Sequence, residues 1–124
     1  MKKLIFLLAL SMLVFTTGCD KDSSENVIVI VKYKTQPNKS IDAITALKEL
    51  IEEVKKEDHF VNIKLHVDQN DNSNIMLYEE WEDELYYQNE HMETQHLQDF
   101  MSKSREFLTG QPEISYWKLN AVYE

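Results

Sequence analysis

At 124 residues the chain holds one domain plus, at most, a short appendage. Its formal net charge of −9 repels phosphate backbones and anionic headgroups, so nucleic acid is excluded as a partner. One cysteine excludes an intramolecular disulfide, and two glycines leave no material for a phosphate-cradling loop.

Lys2 and Lys3 precede an apolar run from Leu4 to Phe15, broken only by Ser11. This run is shorter than the ~20 residues a spanning helix needs, so residues 1–18 read as a signal peptide. Thr16, Thr17 and Gly18 then lead into Cys19. That placement resembles the lipobox of bacterial lipoproteins, with threonines where leucine and alanine or serine are usual. The resemblance implies acylation of Cys19 and attachment to a bacterial membrane, at the outer membrane or cell surface. Lipid chains would hold the domain there without a spanning helix. Residues 19–26 comprise that cysteine and a polar stretch with nothing to bury, a tether.

The folded domain is expected over residues 27–124. Val27 to Val31, extended to Thr35, is a β-branched run with apolar residues on both faces, a strand covered on both sides. Gln36-Pro37-Asn38 ends it. Ile41, Ile44, Leu47, Leu50, Ile51 and Val54 then recur at helical spacing, with Asn38 or Ser40 as the cap. From Phe60 to Asp68 the chain alternates, with Val61, Ile63, Leu65 and Val67 on one face and Asn62, Lys64 and His66 on the other. A polar connection leads to a third strand, Ile75 to Trp81. Asp83 caps a second helical region with a break near Thr94 and a stripe of Leu97, Phe100, Met101 and Leu108. Gly110 and Pro112 stop it, and Ile114 to Val122 forms a last strand.

This β-α-β-β-α-β order is the ferredoxin-like α+β arrangement, a four-stranded antiparallel sheet with both helical regions on one face. The other face would leave apolar side chains in water, which pairing of two sheets would cover. A homodimer is therefore expected.

Leu77-Tyr-Glu-Glu-Trp81 is similar to the apolar-x-Glu-x-Trp strand end of the antibiotic biosynthesis monooxygenase (ABM) family. His91-Met-Glu-Thr-Gln-His96-Leu-Gln-Asp-Phe100 is similar to that family's His-x4-His-apolar-x-x-Phe segment. The resemblance spans residues 27–120 and implies a dimeric α+β barrel. It also implies that a small quinol or phenol could be oxidised by dioxygen, with no metal or organic cofactor. Two departures stand out. Lys56-Glu-Asp-His-Phe60 replaces a segment where relatives often carry glycine. The first strand lacks the asparagine of the haem-degrading branch, which argues against haem breakdown.

His91 is the expected catalytic residue, since a neutral imidazole can take the proton of a phenol. The bland alternative is a histidine holding Glu79 or a backbone carbonyl. Trp81 and Tyr87 are expected to bind a planar substrate by stacking, or else to be core. His96 joins them as a substrate contact or a cap. Glu79 shares the face of Trp81 and needs a buried partner, with Lys32 or a histidine as candidates. His91 and His96 are five apart, whereas one helical face wants ligands three or four apart, and beyond Glu93 and Asp99 as assistants no third ligand lies at a recognisable spacing, so no metal is expected. The competing functional reading is a non-catalytic module that binds a small hydrophobe.

Overall fold

A computed structural model describes residues 25–124. The segments expected to be a signal peptide and most of the tether, with Cys19, lie outside the described residues. The elements follow as β1 (Val27–Lys34), α1 (Ser40–Val54), β2 (Phe60–Val67), β3 (Asn74–Trp81), α2 (Glu84–Gln88), a 3-10 turn (His91–Glu93), α3 (Gln95–Ser104) and β4 (Glu113–Lys118). The four strands are antiparallel in the order β2-β3-β1-β4, the ferredoxin-like topology. Among the described residues no helix is long and apolar enough to cross a membrane.

Alternation along β1 decides where the core sits. Val27, Val29, Val31 and Tyr33 are buried on the helix side, beside Ile75, Leu77 and Trp81 of β3. Ala43, Ala46, Leu47, Leu50 and Val54 of α1 close over them, joined by Leu97 and Phe100 of α3. Ile41, expected in this stripe, is 79% exposed, and the alanines supply the close approach instead. No side chain caps α1; the Ser40 hydroxyl donates to Asn72 Oδ1 at 3.3 Å and pairs with the Thr35 hydroxyl at 3.2 Å.

Two further expectations change. The alternation of β2 breaks at Val61, because the ladder shifts register between Phe60 and Asn62. Phe60 then faces the core, edge-on to Trp81 at 5.7 Å, while Val61 turns to solvent. A bulge inserts one residue and reverses the facing of those before it. Residue His59, immediately before, adopts φ 66°, the left-handed conformation that glycine tolerates best. The last strand also ends at Lys118 rather than Val122.

The second sheet face is open within one chain. Ile28, Ile30, Met76 and Tyr78 are half-buried there, and Trp117 is exposed.

Candidate active site

The end of β3 builds the site. Leu77, Glu79 and Trp81 alternate toward the helices, so a carboxylate and an indole lie on the buried face two residues apart. The Trp81 Nε1–H donates to Glu79 Oε2 at 2.9 Å. Lys32 is not the partner of Glu79; it lies on the opposite face, across from Met76. Burial, more than anything else, pushes the Glu79 carboxyl up to about 7, against the pull of the Trp81 N–H and with a further push from the charge of Glu57.

Past Trp81 the chain turns back over it. Asp83 caps α2, accepting from the Tyr86 N–H at 3.1 Å. The short helix swings Tyr87 into the interior, where it stacks on His91 with ring centroids 4.7 Å apart. Both rings contact Trp81, Tyr87 at 5.4 Å and His91 at 4.7 Å. Burial raises the Tyr87 hydroxyl far above its ordinary range, so it stays a neutral donor.

His91 is buried and bonded through Nδ1 to both carboxylate oxygens of Glu57, at 3.0 and 2.9 Å. Burial holds its pKa below the ordinary value despite the opposing pull of Glu57, so the ring is neutral at neutral pH. A carboxylate only accepts, so the Nδ1 proton faces Glu57 and the lone pair sits on Nε2. Glu57 also accepts from His96 Nε2 at 2.8 Å and from the Tyr86 hydroxyl at 3.1 Å. The two histidines converge because the chain does not continue as one helix. Thr94, at ψ 146°, separates the 3-10 turn from α3 and re-aims the second histidine. The donor atoms of Glu57, His91 and His96 all lie within 4.8 Å of one another.

A cavity of about 570 Å³ opens between the sheet and the helices. Val31, Leu50, Leu77 and Phe100 give it apolar walls, while Glu79, Tyr87, His91 and the hydroxyl-bearing Tyr33 supply polar groups. Its size and lining are those of a small-molecule site. Of the expected residues, His91 and Tyr87 line it. Trp81, fully buried, stands behind them and anchors Glu79; His96 stands outside and holds Glu57. Glu57 was not anticipated, since the run Lys55-Lys-Glu-Asp58 reads as a solvated helix end.

Sheet topology and cavity together define a ferredoxin-like α+β domain with a ligand-sized chamber between sheet and helices. Residues 26–103 match the sequence family described as Antibiotic biosynthesis monooxygenase, and the chain belongs to that family. No curated protein sequence matches the chain. The fold is shared with a conserved protein from Methanosarcina mazei Go1, at TM-score 0.71 and 23% identity over 79% of this chain and 96% of the other. It is shared with PA3566 from Pseudomonas aeruginosa, at 0.71 and 20% identity over 78% and 96%. A Bacteroides thetaiotaomicron protein of unknown function, described as a possible oxidoreductase, matches at 0.67 and 17% identity over 77% and 99%.

Proposed function

We propose that this protein is a cofactor-independent monooxygenase acting on a small quinol or phenol. The observation that carries the reading is His91 in the cavity wall, with Glu57 holding the proton on Nδ1 and leaving Nε2 as a base. A bound hydroquinone would lose a phenolic proton to Nε2, becoming a phenolate that reduces dioxygen directly. In sum, a hydroquinone and dioxygen give a hydroxyquinone and water: one oxygen atom enters the ring and the other leaves as water. Glu79, protonated up to about pH 7, lies in the same wall and can deliver a proton to the departing oxygen. Tyr87 and the apolar residues would position the ring, with Trp81 and His96 supporting the wall from behind.

The same proposal places the domain at a bacterial membrane through an acylated Cys19 and in a homodimer through the open sheet face. Apolar Ile28, Ile30 and Trp117 support the pairing, as does Asn62 Oδ1, a buried acceptor with no partner among the described residues. Dioxygen uptake with a panel of hydroquinones, comparing the wild type with His91→Ala, tests the chemistry. Turnover that collapses in the variant supports it. Background rates in both across the panel would leave a non-catalytic module that binds small hydrophobes in the cavity.

A further inference from the structure

Glu57 does more than orient His91, because it draws a second imidazole into the same few ångströms. Two imidazole nitrogens and one carboxylate form the donor set of several three-ligand zinc sites, in which water takes the fourth position. Donors about 2.1 Å from a shared ion stand roughly 3.0–3.4 Å apart at octahedral or tetrahedral angles. Glu57 Oε2 is 2.9 Å from His91 Nδ1 and 2.8 Å from His96 Nε2, and the three donor atoms lie within 4.8 Å of one another, so the two imidazoles close by roughly 1.4 Å to reach the ~3.4 Å of a tetrahedral pair around an ion. The Glu57 and His91 side chains are only 6% and 5% exposed, whereas His96 is 23% exposed and gives an ion a route in from solvent.

We infer that Glu57, His91 and His96 form a site for a zinc-class divalent cation, and that filling it switches His91 from acceptor to donor at the cavity. A neutral imidazole that ligates an ion through Nδ1 must carry its proton on Nε2. Without the ion, Glu57 holds the proton on Nδ1, and Nε2 offers a lone pair. With the ion, the Nδ1 proton moves to Nε2 through solvent, and His96 likewise exchanges its Nε2 proton for one on Nδ1. No proton is gained or lost from the neutral pair. The cavity loses its base while the backbone elements that carry the three ligands keep their places. Two imidazoles favour zinc, cobalt or copper over magnesium, which prefers an oxygen shell.

Loss of the base rests on the role proposed above for His91; ion binding does not. The test is calorimetric titration of the purified full-length protein with zinc chloride, and with magnesium chloride as a control, on the wild type, His96→Gln and Glu57→Gln. One zinc per chain is expected, no magnesium, and a dissociation constant raised at least about 100-fold in each variant, because even outer partners of metal ligands are worth 10–100-fold. Long-range nitrogen-15 NMR of His91 should show its proton on Nδ1 without zinc and on Nε2 at saturation. No zinc binding to the wild type, equal binding in both variants, or an Nδ1 proton retained at saturation would overturn the inference. If zinc binds and moves the proton but no hydroquinone is turned over even without zinc, the proposed reaction fails and the cation site stands.

Discussion

Glu79→Gln isolates the cost of holding a carboxylate in the cavity wall. Glu79 is 4% exposed, and its carboxyl rises from the ordinary 4.5 to about 7, chiefly through burial. Between those two values the native state keeps a proton that the unfolded chain has released. Each rise in pH across that window therefore favours the unfolded chain. A displacement of about 2.5 units at 1.36 kcal/mol each gives roughly 3 kcal/mol of stability present below pH 4.5 and lost by pH 7 to 8. Glutamine has the same shape and can still accept from the Trp81 N–H, but it does not ionise. Urea denaturation of the two proteins at intervals from pH 4.5 to 8.5 reads the effect directly. The variant should gain about 3 kcal/mol relative to wild type across the range, with most of the change between pH 5 and 7. A difference that does not vary with pH would show that Glu79 ionises as freely in the fold as in water, and the proton-delivery role would go with it.

Glu57→Ala should lower stability by about 3–5 kcal/mol in urea denaturation, because it strands a buried imidazole donor together with His96 and the Tyr86 hydroxyl. Glu57→Gln should cost less, about 1–3 kcal/mol, since one acceptor remains; equal losses for the two variants would contradict the bonding described. Leu47→Ala, at a position with no exposure, should cost about 3 kcal/mol through the cavity it leaves. Trp117→Glu should shift sedimentation from dimer to monomer with the fold intact by circular dichroism, and an unchanged dimer would move the interface elsewhere.

The strand order was legible from the β-α-β-β-α-β succession of elements, and the shared face of Glu79 and Trp81 because side chains along β3 alternate with a period of two. Ile41 misled because helical spacing marks a stripe without saying how wide it is, and small Ala43 and Ala46 lie nearer the sheet. Val61 misled because a bulge leaves no mark on hydrophobicity, although His59 at φ 66° adjoins it. His91 and Tyr87 were visible as an aromatic and imidazole group after a strand end. Their relation to His96 was not, since the break near Thr94 was expected but its angle, which brings the second histidine round to Glu57, is not encoded in a spacing of five. Glu57 was invisible for a different reason. Its partners are 29, 34 and 39 residues away, and nothing local distinguishes it from the charged residues beside it.

Oxygen-18 labelling tests the central claim most directly. The wild type would be incubated with a hydroquinone that it consumes, under labelled dioxygen, beside His91→Ala. The expected result is one labelled atom in the hydroxyquinone, one in water, and no labelled product above background from the variant. Unlabelled product, or equal labelling with and without the imidazole, would contradict a reaction begun by His91 in this cavity.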